Sequence, residues 1–232
     1  MRALRRFLAV SILLLACVAC QPLAQLGLDR RPVFISEPID GTTRGRLQYA
    51  VETPQACAAW LASAGLTFRP VADRTEDTYC QVTGAGNLVD ATPRIDPTLS
   101  PARPMMACDL AAAVAIWRRQ SVEPAAQAIL GVGVRQIDHL GVYACRGIGD
   151  PVTGRPSAHA RAQAIDIAGF RLTNGRRITV EKDWNGQGPE AVFLRRVRDD
   201  ACRLFGVTLS PDYNAAHANH LHLEAGRGGL CS

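Results

Sequence analysis

Apolar residues recur at spacings of three and four in three stretches of the chain, and each stretch predicts an amphipathic helix. The first begins at Thr53-Pro54, because Thr53 can cap a helix and Pro54 fits its first turn, and Gly65 ends it. The second follows Asp109, which can act as its N-cap, and the third begins at Pro189. The chain therefore offers three helices that can each bury one face.

Strand patterns dominate the second half of the chain. The predicted strands cover residues 132–140, 163–170, 172–180, 207–209 and 220–224. Asn174-Gly175 is a strong hairpin signal, so the second and third of these strands should pair. Prolines spread through residues 66–104 exclude a long helix there and favour short strands and turns. This order predicts an α+β fold, with a small, mostly antiparallel sheet flanked by helices.

The N-terminus has the pattern of a bacterial export signal. Three arginines within the first six residues precede an apolar run over residues 7–16, which is too short to span a membrane. Leu14-Leu15-Ala16-Cys17 resembles a lipobox, and Cys20 is a second candidate for acylation. A plain cleaved signal with incidental cysteines is the alternative. We therefore expect an exported protein of the periplasm or cell envelope, held to the membrane by an N-terminal lipid.

The chain divides into three predicted parts. Residues 1–20 are the export segment with its lipobox. Residues 21–50 lack clear periodicity and are expected to be a tether or arm of low order. Residues 51–232 hold the predicted helices and strands and form one domain.

Composition argues against nucleic-acid binding. Hydrophobic residues make up 47% of the chain, which is enough for a substantial core, and the formal net charge is +5. Removing the three arginines of the export segment leaves 23 basic and 21 acidic residues, close to balance. Because no basic stripe interleaved with aromatic residues occurs, we expect no nucleic-acid partner.

Six cysteines remain after the lipidation candidates Cys17 and Cys20. They are Cys57, Cys80, Cys108, Cys145, Cys202 and Cys231. An even number in an exported chain predicts disulfides, and the absence of Cys-x-x-Cys pairs argues against a cysteine zinc knuckle. Six cysteines allow 15 pairings. We expect sequential pairing, with each cysteine bonded to its neighbour along the chain.

Four of the five histidines lie in two short segments of the chain. His220 and His222 fall on one predicted strand, so they share a face at a separation of about 7 Å. His217 lies three residues before His220, in a loop that can fold over the same place. Two imidazoles on one face can bind a common metal ion or substrate.

The other segment joins His159 to Asp166. Asp166 lies between two isoleucines of a predicted strand, so its carboxylate should face away from the core and needs a cation or several donors. With His159 and His222 it would supply three protein ligands, the number that catalytic zinc sites use. The sequence therefore predicts one zinc ion at these residues, and a buried histidine–aspartate network without metal is the alternative.

These segments resemble the signature of the LAS metallopeptidases, the group of lysostaphin, D-Ala-D-Ala peptidases and hedgehog proteins. The matching positions are Ser157, His159, Ala164, Asp166 and His222. Members have a small antiparallel sheet and one zinc ion held by that histidine, that aspartate and the later histidine. The resemblance implies the same ligand set here and a LAS/hedgehog-type metallopeptidase core.

Two positions depart from that signature. Ala162 stands where a glycine is usual, and Asn219 stands where D-Ala-D-Ala dipeptidases carry a catalytic glutamate. The ending His-x-x-His-x-His is instead similar to penicillin-insensitive murein endopeptidases. That resemblance implies that His220 is the general base or oxyanion stabiliser and that His217 assists it.

A longer resemblance, over about residues 50–232, is to the bacterial extensin-like C-terminal domain family. Its carriers are Cys145-Arg146-Gly147, Ser157-Ala-His159-Ala, Ala164-Ile-Asp166-Ile-Ala-Gly-Phe170, Phe193-Leu194-Arg195 and Pro211-Asp-Tyr-Asn-x-x-His217-x-x-His220-x-His222. The chain has none of the proline-rich repeats of plant extensins. This resemblance implies kinship of fold more directly than an activity.

Together these resemblances imply a zinc-dependent peptidase of the D,D-endopeptidase or carboxypeptidase type, acting on peptidoglycan stem peptides or cross-links. Arg146 is expected to bind a substrate carboxylate through its two-pronged guanidinium, and Ser157 is expected beside the substrate. A surface salt bridge is the alternative role of Arg146. For the whole domain the alternative is a non-catalytic module that binds the cell envelope.

Overall fold

The structure, a computed structural model, describes residues 29–76, 80–90, 97–149 and 154–232. The predicted export segment and both lipidation candidates, Cys17 and Cys20, lie outside the described residues. Within those described ranges, no helix is both long and apolar enough to cross a bilayer.

Six α-helices lie in the described part of the chain. They are α1 (Thr43–Ala50), α2 (Pro54–Ser63), α3 (Cys108–Trp117), α4 (Glu123–Leu130), α5 (Val180–Asp183) and α6 (Pro189–Leu204). A π-helical segment, Arg118–Val122, joins α3 to α4.

The strands of the described residues form three sheets. In chain order they are β1 (Leu66–Pro70), β2 (Arg74–Thr75), β3 (Gln81–Val82), β4 (Ala85–Asp90), β5 (Thr98–Ser100), β6 (Met105–Ala107), β7 (Val134–Gly141), β8 (Ala164–Leu172), β9 (Arg177–Thr179), β10 (Val207–Leu209), β11 (Leu221–Glu224) and β12 (Leu230–Cys231). The largest sheet has the order β12-β10-β11-β8-β7-β5, and β9 pairs with β8. Only the β5–β7 and β10–β12 pairs of that sheet are parallel. The predicted α+β class with a mostly antiparallel sheet is confirmed.

Helices cover one face of the largest sheet and leave the other for polar side chains. Phe170 of β8 packs edge-on against Phe193 of α6 at 5.0 Å between ring centroids, and Trp117 of α3 lies 6.1 Å from Phe170. All three aromatic side chains are fully buried. Because α3 is buried all round rather than along one stripe, it forms the centre of the core.

Most of the predicted elements are present. The Thr53 side chain accepts a hydrogen bond from the Ala56 amide and caps α2, and the hairpin across Asn174-Gly175 joins β8 to β9. The predicted capping role of Asp109 is wrong, because α3 begins one residue earlier, at Cys108. Asp109 instead lies in the first turn, where its carboxylate accepts from the Leu110 amide at 2.8 Å.

The described part of the segment predicted as an arm of low order is packed against the domain. Residues 43–50 form α1, and Val33 and Leu47 are buried in the core. The Trp60 indole donates to the Val33 carbonyl at 2.8 Å, and the guanidinium of buried Arg46 bonds to Glu37. These single long-range contacts have no periodic sequence signal, which explains why periodicity did not predict order here.

Three disulfides join cysteines of the described residues, and sequential pairing is correct for only one of them. Cys202 bonds to Cys231 as expected, whereas Cys57 bonds to Cys108 and Cys80 bonds to Cys145. Helix α2 packs beside α3, and this contact brings Cys57 to the start of α3. The expected bonds Cys57–Cys80 and Cys108–Cys145 are therefore wrong, because packing rather than order along the chain selects the partners.

Candidate metal centre

The register of β8 against β11 places Asp166 directly opposite His222. Their strand neighbours Ile165 and Leu223 are fully buried in the core. Since side chains alternate across a strand, Asp166 and His222 both project from the face that the helices leave free. The predicted orientation of the Asp166 carboxylate is thus confirmed.

His159 reaches the same place from a 3-10 turn, Ala158–Arg161, that precedes β8. Ser157 caps this turn, because its hydroxyl accepts a hydrogen bond from the His159 amide. Ala162 ends the turn in the left-handed region at φ 54°, a conformation that favours glycine. The turn directs the buried His159 ring toward the sheet.

Three donor atoms from these residues meet at one point. His159 Nε2 lies 3.2 Å from Asp166 Oδ1 and 3.2 Å from His222 Nδ1, and His222 Nδ1 lies 2.9 Å from Asp166 Oδ1. In a tetrahedral zinc site with ligands at 2.0–2.1 Å, neighbouring donor atoms are about 3.3 Å apart. The three spacings are close to that value, so this donor set fits a zinc ion both in chemistry and in size.

One hydrogen bond, on the side of the His159 ring that points away from the centre, determines which ring nitrogen faces the centre. Its Nδ1 lies 2.7 Å from the Val142 carbonyl and donates to it. Nε2 is then left with its lone pair toward the other two ligand atoms, as a metal ligand requires. Tautomer selection by a backbone carbonyl is common at metal-binding histidines.

The centre is strongly polarised. Burial raises the pKa of Asp166, but its close contacts with the imidazoles of His159 and His222 outweigh burial and hold it well below its usual range. Burial likewise lowers the pKa of His222, yet its hydrogen bond to Asp166 and the nearby carboxylate of Glu224 outweigh burial and raise the pKa to about 9. A carboxylate shared by imidazoles therefore organises the site.

Two further histidines surround this centre, as the sequence predicts. His220 Nε2 lies 3.5 Å from Asp166 Oδ1, and the His217 ring lies 5.1 Å from the ring of His220 and 5.9 Å from that of His222. Burial is the main cause that lowers the pKa of both, to about 4 for His217. Both rings are accordingly neutral at pH 7.

Asparagine side chains orient these two neutral rings. His217 Nδ1 donates to Asn214 Oδ1 at 2.7 Å, and His220 Nδ1 donates to Asn219 Oδ1 at 2.8 Å. In both rings Nε2 is left as the unprotonated acceptor. The geometry therefore suits the two histidines to accept a proton or a hydrogen bond.

The loop that carries His217 is anchored by residues that sequence patterns did not reveal. The buried Trp184 indole donates to Asp212 Oδ1 at 2.8 Å, and Arg198 lies 3.9 Å from the Asp212 carboxylate. The Arg198 guanidinium also stacks over the Trp184 ring. These contacts join residues far apart in the chain, so no local pattern could have identified them.

The two predicted substrate-binding residues have different surroundings. Ser157 is only 8% exposed, and its hydroxyl serves the turn that holds His159, while its substrate-binding role stays a prediction. Arg146 is exposed and follows Cys145 of the Cys80–Cys145 disulfide. Its positive charge is among the causes of the lowered pKa of His217, after burial and the neighbouring histidines.

One site residue was missed from the sequence. Glu224 lies two residues after His222 on β11, and Glu224 Oε2 is 3.7 Å from His222 Nε2. The alternation His220-x-His222-x-Glu224 was a signal that could have identified it, because such positions share one face of a strand.

Comparison with known proteins gives a family but no characterised relative. No curated protein and no solved structure matches the chain. The family described as "Extensin-like protein C-terminus" matches residues 55–232, a stretch that contains α2 except its first residue, the largest sheet and every residue of the centre. The chain therefore belongs to the extensin-like C-terminal family.

Proposed function

We propose that this protein is a zinc-dependent peptidase that cleaves peptide bonds of peptidoglycan. The observation that carries the proposal is the meeting of His159 Nε2, Asp166 Oδ1 and His222 Nδ1 at spacings of 2.9 to 3.2 Å. In the described residues, this is the only group of three metal-ligating side chains whose donor atoms lie within 4.8 Å of one another. Three neutral or anionic donors with one open side are the ligand pattern of catalytic zinc sites.

The strand arrangement supports kinship with the LAS metallopeptidases. The aspartate and the later histidine come from adjacent antiparallel strands, β8 and β11, and the first histidine precedes β8. This matches the order and the strand setting that the resemblance implies. We therefore propose a metallopeptidase core of that type within the family domain.

His159, Asp166 and His222 would hold the ion, which when bound supplies a Lewis acid that polarises a carbonyl and lowers the pKa of a water. His220 is proposed as the general base, because its Nε2 lone pair faces the centre and Asn219 holds the ring in that orientation. His217 presents the same acceptor nitrogen, so it fits assistance in proton transfer better than donation to an oxyanion.

Peptidoglycan is the proposed substrate because its stem peptides carry carboxylates and the enzyme would meet them in the envelope. Arg146 is exposed and its charge acts on His217, and its guanidinium can bond both oxygens of a carboxylate. Three disulfides are typical of an oxidising compartment such as the periplasm, in line with the proposed export and lipid anchoring.

A non-catalytic envelope-binding module is the second candidate function. Asn219 favours it, because dipeptidases of the resembling group carry a glutamate base there, whereas this asparagine only orients His220. Such a module would keep the fold and the metal and bind the cell wall without cutting it.

Metal analysis combined with mass spectrometry of products released from sacculi tests the proposal. Wild type should retain about one zinc per chain and release muropeptides, and Asp166→Asn should lose both properties. His220→Ala should keep zinc and lose cleavage, while Glu181→Gln, an exposed position on α5, is the matched surface control. Wild type without zinc that releases nothing after zinc is restored would end the enzyme proposal. Equal sacculus binding by wild type and His220→Ala, with cleavage by neither, would favour the binding module.

A further inference from the structure

The two histidines of the centre present different nitrogens to it. His159 faces inward with Nε2, while Nδ1 is held by the Val142 carbonyl. His222 faces inward with Nδ1, so its outer nitrogen is Nε2. Each ring can act as a ligand only if a partner outside the centre keeps the proton on the outer nitrogen. The question is which group does this for His222.

Strand geometry brings one carboxylate to that outer nitrogen. Leu221 and Leu223 of β11 are fully buried, so His222 and Glu224 share the opposite face of the strand. Glu224 pairs across the sheet with Ala164 of β8. Glu224 Oε2 then lies 3.7 Å from His222 Nε2, and its side chain is 30% exposed.

We infer that Glu224 is a positioning residue that holds the His222 ring with Nδ1 directed at Asp166 and His159. The imidazole lies between two carboxylates, Asp166 on its inner nitrogen and Glu224 on its outer one. The 3.7 Å distance is longer than an N–H···O hydrogen bond but lies within the N···O range of an ion pair, so Glu224 acts on the His222 ring as a nearby negative charge. The role of Glu224 at a metal site depends on the proposed function, whereas its positioning of the His222 ring does not.

Substitution of Glu224 tests the inference through metal affinity. Loss of such an outer partner typically weakens metal binding by about 10–100-fold. Glu224→Ala should therefore weaken zinc binding, measured by competition with a chromophoric chelator, by about 10-fold or more. Glu224→Gln keeps an acceptor oxygen and should lose less, and Glu181→Gln should bind zinc like wild type. Zinc affinity of Glu224→Ala equal to wild type would overturn the inference.

A second measurement separates this inference from the proposed function. In zinc-free protein, ¹H–¹⁵N correlation of the imidazoles should show the His222 Nε2–H signal protected from solvent exchange in wild type and lost in Glu224→Ala. If wild type binds no zinc, the proposed function fails, and the imidazole spectrum still decides the role of Glu224. An identical His222 signal in wild type and Glu224→Ala would refute the positioning role, whatever the metal result.

Discussion

The Cys80–Cys145 disulfide should serve both stability and the metal centre. Cys145 closes the segment whose Val142 carbonyl accepts from His159 Nδ1 and whose Ala144 amide donates to the His159 carbonyl at 3.2 Å. Replacing both cysteines with alanine removes the cross-link without leaving a free thiol. We expect the double variant Cys80→Ala/Cys145→Ala to fold, to be less stable, and to hold His159 less firmly.

The loop lengths set the expected loss of stability. The Cys80–Cys145 bond closes a separation of 65 residues, and Cys202–Cys231 closes one of 29. Chain entropy then predicts a loss of about 4 kcal/mol from the free energy of unfolding for either bond, with less than about 1 kcal/mol between them. Cys202→Ala/Cys231→Ala is therefore a control of matched stability whose bond joins α6 to β12, a strand that pairs with β10 and not with β8 or β11.

Urea unfolding of zinc-free protein measures the stability of both variants, and chelator competition measures their zinc affinity. Both variants should lose similar stability, but only Cys80→Ala/Cys145→Ala should also bind zinc about 10-fold more weakly. That factor is the low end of the loss in metal affinity seen when a hydrogen-bond partner of a metal-binding histidine is removed. Equal zinc affinity in the two variants would refute the positioning argument. Peptide maps that join Cys57 to Cys80 would refute the pairing itself.

Three further predictions concern metal removal, pH and the loop that carries His217. Zinc at roughly 100 times its Kd should stabilise the folded state by about 2.7 kcal/mol. This raises the Tm of a domain of this size by about 5–10 °C in thermal melts, whereas Asp166→Asn should show no zinc-dependent shift. Burial lowers the pKa of His139 from its ordinary 6.5, against weaker opposing effects of the Pro101 carbonyl and of the carboxylates of Asp138 and Asp166. Below about pH 6.5 the unfolded chain therefore binds a proton at His139 that the folded chain does not bind. The free energy of unfolding of zinc-free protein should decrease as the pH falls below that value, and it should decrease less steeply in His139→Gln. Equal slopes for the two proteins in urea titrations would contradict this. Trp184→Phe loses the 2.8 Å hydrogen bond to Asp212, so it should cost about 1–2 kcal/mol and speed proteolysis within residues 210–219, with zinc affinity unchanged.

Much of the secondary structure follows from local patterns. The cap at Thr53, the turn at Asn174-Gly175 and the helix that begins at Pro189 all depend on residues within a few positions of one another. The alternation around Asp166 also correctly predicted that its carboxylate faces away from the core. Such features depend on backbone preferences and side-chain periodicity, and both can be read from one short segment of the sequence.

The sequence by itself also determined which residues were candidates for the centre, because four of five histidines cluster in two segments beside one aspartate. Only the tertiary structure decided that β8 and β11 are neighbours, in the register that sets Asp166 opposite His222. It likewise decided the Cys57–Cys108 and Cys80–Cys145 pairs and the place of Glu224 on the outer nitrogen of His222. These results depend on packing between segments far apart in the chain, and periodicity within one segment carries no information about its distant neighbours.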